Sequence, residues 1–211
     1  VWERRIGQGN WERITVPYSS LPVGESTCRL RFDRAHTADV CHLVFEGITY
    51  AAAVTLNGVA LGDMLPYCEY RFDVTALLRD TDNDLQVALR DIDPVFGPSE
   101  GWENYGGIIR PVYLEYAAAD HLTDVVWTAE CSADLSGARA HIRAEAVLPS
   151  PDAAVTYTLA DPAGRVCASG EISGGETSFF LEHPLLWAPE HPHLYTLTLT
   201  VTAAGQIRDR L

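Results

Sequence analysis

Gly101-Trp102-Glu103-Asn104-Tyr105-Gly106-Gly107-Ile108-Ile109-Arg110-Pro111-Val112-Tyr113-Leu114 joins a polar, aromatic loop to a glycine pair and then to an apolar strand. The glycines permit positive φ or the close approach of another backbone, and the strand behind them holds the loop in place. Toward the N-terminus, short runs of alternating apolar residues follow one another. Trp11 to Val16 stops at Pro17, Ser26 to Asp33 puts Cys28, Leu30 and Phe32 on one face, and Val40 to Gly47 is a third strand. Ala51 to Leu56 and Val59 to Leu61 flank Asn57-Gly58, which supplies the two positive φ values of a type I′ hairpin, so Asn57 reads as a turn residue. Tyr67 to Val74 reads as a strand closed by a helical turn, Asp73 to Leu78, capped by Asp73 or Thr75. The carboxylates of Asp80 to Asp84 lack the glycine and terminal glutamate of a helical calcium loop, and a solvated turn is expected there. Leu85 to Arg90 and Ile108 to Tyr116 complete the set. Short strands with turn residues between them and almost no helical pattern predict an antiparallel, all-β jelly-roll sandwich over residues 1–119.

Ala117-Ala118-Ala119-Asp120 is a connector. Over residues 120–211 strands are expected at Leu122 to Cys131, Ala138 to Leu148, Ala154 to Leu159, Arg165 to Ile172, Thr177 to Leu181 and Leu194 to Thr202, with another starting at Gln206. Their number and spacing suit an immunoglobulin-like sandwich. Thr196-Leu197-Thr198-Leu199-Thr200-Val201-Thr202 puts threonines on one face and aliphatics on the other, so one face is buried and one wet.

The 211 residues are 47% hydrophobic, ample for real cores. Lys plus Arg number 15 against 29 for Asp plus Glu, and the net charge of −14 opposes nucleic acid and anionic membrane as partners. No apolar run approaches the roughly 20 residues that span a bilayer, and no signal-like segment opens the chain, so a soluble protein is expected. The five cysteines are scattered; Cys28, Cys41 and Cys68 each fall on the apolar face of an expected strand. They read as buried thiols in a reducing, cytoplasmic setting rather than as disulfides or metal ligands.

Leu43-Val44-Phe45-Glu46-Gly47, Ala53-Val54-Thr55-Leu56-Asn57-Gly58, Gly62, Tyr70-Arg71-Phe72-Asp73-Val74-Thr75, Leu85-Gln86-Val87 and Gly106 to Leu114 stand in an order and spacing that resemble the N-terminal, galactose-binding-like sugar-binding domain of glycoside hydrolase family 2. That family includes β-galactosidases, β-glucuronidases and β-mannosidases. Leu186-Trp187-Ala188-Pro189-Glu190-His191-Pro192-His193-Leu194-Tyr195-Thr196-Leu197 resembles part of the immunoglobulin-like domain that follows it there. The resemblance implies a (β/α)8 barrel in the parent chain carrying two catalytic glutamates, whereas this sequence stops before any barrel. Retaining hydrolysis needs two carboxyls about 5–5.5 Å apart, so no catalytic residue is assigned and the chain alone is expected to be inactive. No cofactor and no metal is expected. The family often has a glycine-containing turn before its Asn-x-Leu-x-Val strand; Asp82-Asn83-Asp84 stands there here, and Asn83 tolerates the left-handed conformation.

Glu100, Trp102, Glu103, Asn104 and Tyr105 are the candidate sugar-binding residues. Aromatic rings stack on the apolar face of a sugar while planar polar side chains bond its hydroxyls. The competing reading, favoured because large aromatics are mostly buried payload, is that Trp102 and Tyr105 pack the loop onto the sandwich or the barrel. Arg110 alternates with Ile108 and Val112 and is expected inward, paired with Asp91 or Asp93. His191 and His193 lack a third ligand and read as surface loop, and Trp187 is expected to plug the end of the second sandwich. The leading expectation is a non-catalytic region that supports the barrel and its substrate cleft. The alternatives are a free-standing carbohydrate-binding module and a protein-interaction module forming a homo-oligomer.

Overall fold

A computed structural model describes residues 1–20, 25–90 and 105–211. Its contacts divide the chain into Val1–Tyr116 and Ala117–Leu211. Among the described residues the regular elements are all β-strands, and their pairings are antiparallel.

The first unit holds β1 (Trp2–Ile6), β2 (Glu12–Ile14), β3 (Ser26–Phe32), β4 (Val40–Phe45), β5 (Ala51–Leu56), β6 (Val59–Met64), β7 (Tyr70–Asp73), β8 (Asn83–Arg90) and β9 (Val112–Ala117). One sheet runs β2-β1-β3-β8-β5-β6 and the other β7-β4-β9, a two-layer sandwich. The period of two explains the layering. Along β8, Leu85, Val87 and Leu89 are buried while Gln86, Ala88 and Arg90 are exposed. They pack with Cys28, Val54 and Leu56 of their own sheet and with Leu43 and Phe45 of β4. Full burial of each such Leu, Val or Phe side chain stabilises by about 1.5–3 kcal/mol.

The hairpin between β5 and β6 turns at Asn57 (φ 54°) and Gly58 (φ 83°), as a type I′ turn requires. Asn57 does more than turn the chain. Its Nδ2 donates to the Leu77 carbonyl (2.8 Å) and to Asn83 Oδ1 (3.0 Å), and its Oδ1 accepts from the Asp84 N–H (2.9 Å). Asn83 is fully buried. Its Nδ2 donates to the carbonyls of Arg79 (2.8 Å) and Phe32 (3.3 Å), and its Oδ1 also accepts from the Arg79 N–H (2.9 Å). The left-handed residue is therefore Asp82 (φ 56°), not Asn83. An exposed aspartate tolerates that conformation, whereas residue 83 must already be extended to aim its amide inward. The turn after β7 is capped by Asp73, whose Oδ1 accepts from the Thr75 N–H (2.9 Å), and Leu78 N–H closes it onto the Val74 carbonyl (2.9 Å).

Three expectations fail here. Tyr67 has φ 62° and lies in a turn, so β7 starts only at Tyr70 and Cys68 is exposed while Cys28 and Cys41 are buried. Val112 begins β9, later than Ile108. The strand β1 was not anticipated because Glu3, Arg4 and Arg5 mask its alternation. Its charges are matched across the sheet: Arg29 pairs with Glu3 at 2.8 Å, and the guanidiniums of Arg5 and Arg29 lie 4.9 and 4.3 Å from the Trp11 ring centre.

The second unit holds β10 (His121–Cys131), β11 (Gly137–Val147), β12 (Ala154–Ala160), β13 (Val166–Glu171), β14 (Glu176–Glu182), β15 (Thr196–Ala203) and β16 (Gln206–Arg210). Sheets β10-β11-β14 and β13-β12-β15-β16 enclose Ile142, Val155, Leu199 and Val201, with the rings of Tyr157 and Phe179 stacked 5.1 Å apart. Trp187 does not plug this sandwich; it is 61% exposed, on the loop between β14 and β15. Asp120 accepts from the Ser150 N–H (3.0 Å) and hydroxyl (2.7 Å), bonds that hold its carboxyl below the usual aspartate range. Asp134 accepts from the Ser132 hydroxyl (2.7 Å) and from the N–H and hydroxyl of Ser136, and is lowered to about 2.

Two measurements check these assignments. Asn83→Ala removes a fully buried amide that bonds the backbone of Arg79 and Phe32 and should cost on the order of 2 kcal/mol in denaturant unfolding. Combined with Asn57→Ala it should be clearly less than additive, because the two amides share one network. Asp134 has a depressed folded pKa, so its stabilisation is complete above pH about 4 and is lost as pH falls through about 2. Thermal midpoints recorded down through that window should fall less for Asp134→Asn than for the unmodified chain.

Candidate functional site

Residues 106–111 form a strap stitched to backbone on both sides. On one side Gly106 and Ser20 exchange N–H to carbonyl bonds (3.0 and 2.8 Å), and the Tyr18 N–H donates to the Ile108 carbonyl (2.8 Å). On the other, Gly107 and Thr49 exchange bonds (2.7 and 2.9 Å), the N–H groups of Ile109 and Arg110 share the Gly47 carbonyl (3.2 Å each), and the Glu46 N–H reaches the Pro111 carbonyl (3.2 Å). Gly107 is required at the crossing. Its φ is 151°, and a Cβ there would run into the Tyr18 carbonyl oxygen and come within 3.1 Å of the Ser19 Cα. Ile108, next along, is fully buried in the core.

The strap sets Tyr105 and Arg110 beside a recess of about 490 Å³ lined by Pro17, Tyr18, Ser19, Tyr105, Ile109 and Arg110. A hydrogen bond with the Tyr67 hydroxyl, followed by burial, holds the Tyr105 phenol above its ordinary pKa. Tyr67 in turn meets Tyr50 edge-on, ring centres 6.4 Å apart. Tyr18 is anchored from behind: its hydroxyl shares a 3.0 Å hydrogen bond with the Cys28 thiol, and Arg4 lies 5.3 Å from its ring centre. Burial is the main reason that the Tyr18 phenol and the Cys28 thiol both titrate above their ordinary values. Chemically this is a polar-aromatic recess with a guanidinium and a phenol at its edge, able to bond hydroxyl or carboxylate oxygens and to receive an apolar ring face.

Of the candidate sugar-binding residues, Tyr105 lies at this recess. Glu100, Trp102, Glu103 and Asn104 lie outside the described residues, as do Asp91 and Asp93. Arg110 is exposed rather than inward. Alternation does not carry back from Val112, where β9 begins, to Ile108 and Arg110, because those two belong to the strap and not to a strand. The sequence reading missed Tyr18, Tyr67 and Arg110 as neighbours of Tyr105; the remaining signal was an aromatic at each of two proline-containing turns, Pro17-Tyr18 and Pro66-Tyr67. Among the described residues no group of three His, Cys, Asp or Glu is placed to hold a metal. The His191 and His193 rings stack 6.2 Å apart in an exposed loop.

Residues 25–93 match the family model described as glycosyl hydrolase 2 galactose-binding domain-like, and residues 120–211 match that of glycosyl hydrolases family 2. The chain belongs to glycosyl hydrolase family 2. It is 28% identical to a β-galactosidase of Staphylococcus xylosus over 83% of this chain and 18% of that one. It is 29% identical to β-galactosidase BoGH2A of Bacteroides ovatus over 90% of this chain and 24% of that one. A β-glycosidase structure from Bacteroides vulgatus superposes on all of this chain with a TM-score of 0.84 at 21% identity, using 32% of its own length. The chain thus spans less than a quarter of the length of the two β-galactosidases.

Gly107→Ala should unfold the strap crossing. The expected loss is on the order of 3 kcal/mol, since the obstruction is backbone and cannot rotate away. Gly58→Ala meets nothing within 4 Å and carries only the cost of positive φ, on the order of 1 kcal/mol. Chemical denaturation of the two variants side by side tests the ranking.

Proposed function

We propose that this chain is the non-catalytic N-terminal region of a family 2 glycoside hydrolase, its two sandwiches supporting a (β/α)8 catalytic barrel. The observation that carries the reading is the order of the two family matches, 25–93 then 120–211, in a chain spanning less than a quarter of two β-galactosidases. The parent enzyme hydrolyses O-glycosidic bonds of a carbohydrate substrate, a reading supported by the β-galactosidase and β-glycosidase names of its relatives. The recess edged by Tyr105 and Arg110 forms part of one wall of the substrate cleft. This role suits its rigidity, because a wall contributes to catalysis only by holding its polar groups in place before substrate arrives.

The same recess favours a second reading, a carbohydrate-binding module that works alone. Two experiments separate them. The purified chain should show no turnover of nitrophenyl glycosides, and activity near that of an intact enzyme overturns the first reading. Titration with galactose, glucuronic acid and mannose should give no saturable binding if the recess is only a partial wall. Millimolar or tighter binding that is lost in Tyr105→Ala and Arg110→Ala establishes the second reading instead.

A further inference from the structure

The loop His183-Pro184-Leu185-Leu186-Trp187-Ala188-Pro189-Glu190-His191-Pro192-His193-Leu194-Tyr195 is held by its own hydrogen bonds yet turns its largest apolar side chains to solvent. Ala188 and His191 exchange both backbone bonds (3.1 and 2.9 Å), and the His193 N–H donates to the His191 carbonyl (2.8 Å). The Leu185 N–H donates to the Tyr195 hydroxyl (2.9 Å), which ties the two ends of the loop together. The His183 N–H is tied to the Ser136 carbonyl (2.8 Å), and prolines at 184, 189 and 192 fix three φ angles. On this frame Trp187 is 61% exposed, Leu194 71%, Leu185 45% and Leu186 37%.

Val166, Ile207 and Phe180 of the same unit are also exposed, in a different setting. Val166 and Ile207 stand singly on the outer strands β13 and β16, and the Phe180 ring covers Gly137, where a Cβ would strike it. The loop carries four large exposed apolar side chains on a backbone held by its own hydrogen bonds. Patches of this kind mark interaction sites, and a frame that is already ordered loses little entropy when a partner docks.

We infer that Leu185, Leu186, Trp187 and Leu194 form the face by which the immunoglobulin-like unit docks on the catalytic domain of its parent enzyme. The inference rests on the reading that the chain is part of a larger family 2 enzyme. Tethering decides the occupant. On that reading the chain is a part, spanning less than a quarter of two β-galactosidases, and a domain tethered in the same polypeptide meets the patch at millimolar effective concentration. Charge agrees, since two copies at −14 each repel. A sugar is the wrong ligand for three leucines, which offer its hydroxyls no hydrogen bond.

The test compares Trp187→Ala and Leu194→Asp in the full-length enzyme and in this chain alone, with Val166→Ala as an exposed control. In this chain alone the thermal midpoint should not change, because the substituted side chains pack on little. In the full-length enzyme Trp187→Ala and Leu194→Asp should lower the midpoint of the catalytic domain by about 5 °C and speed proteolysis between the parts, while Val166→Ala does neither. If deletion of residues 1–211 destabilises the catalytic domain but neither loop variant does, the docking face is overturned and the supporting role stands. If the deletion also has no effect, both are overturned. A dimer of the isolated chain that dissociates on Trp187→Ala in sedimentation assigns the face to a second copy and overturns the inference.

Discussion

The first unit depends on one constraint: a backbone strap, residues 106–111, must hydrogen-bond to chain on both sides while another backbone crosses it. Buried N–H and carbonyl groups need partners, and here Tyr18 and Ser20 supply them from one side and residues 46–49 from the other. The crossing leaves no volume for a side chain at 107, so the glycine follows from geometry. Everything chemically interesting nearby is a consequence. Ile108 is driven into the core, Tyr105 is left at the near end of the strap and Arg110 at the far end, and the recess lies along them.

The same demand shapes the opposite kind of node at Asn57 and Asn83. A hydrogen bond between two exposed amides would add about 1 kcal/mol or less. Asn83 is worth more because its own amide is fully buried and is satisfied by the N–H and carbonyl of Arg79 and the carbonyl of Phe32. Asn57 links this node to the type I′ hairpin, so the turn between β5 and β6 and the entry to β8 are fixed together. A hairpin turn residue has thereby become a tertiary contact.

Most of this architecture was legible in the sequence, and the failures share a cause. Strands with one wet face announce themselves by alternation, which is why β15, with its threonines and aliphatics, and the other strands of the second unit fell where spacing put them. Alternation misled wherever it was extended past a ladder. Arg110 was assigned a face it does not have because strap residues obey no period of two, and Tyr67 and Cys68 were drawn into β7 although Tyr67 has positive φ. Strand β1 was hidden because its charges are paired with Arg29 of β3 and Glu12 of β2 and Arg5 lies over the Trp11 ring, contacts that only folding makes. The site itself was half legible. An aromatic loop before a glycine pair pointed to Tyr105, but Tyr18 and Tyr67 come from turns far away in sequence, and no local pattern joins them.

Trp187 was misplaced for a different reason: size and apolarity predict burial within the unit only if the unit has room. The second core is already closed by Ile142, Leu199 and Val201 and by the stacked Tyr157 and Phe179. An ordered tryptophan left outside a complete core is therefore not a defect of packing but an unused contact. The two exposed features of the chain differ in the same terms. The recess at Tyr105 and Arg110 presents hydrogen-bonding groups with an aromatic face, chemistry suited to a hydroxylated ligand; the loop at Leu185 to Leu194 presents apolar side chains on a stiff backbone, chemistry suited to protein.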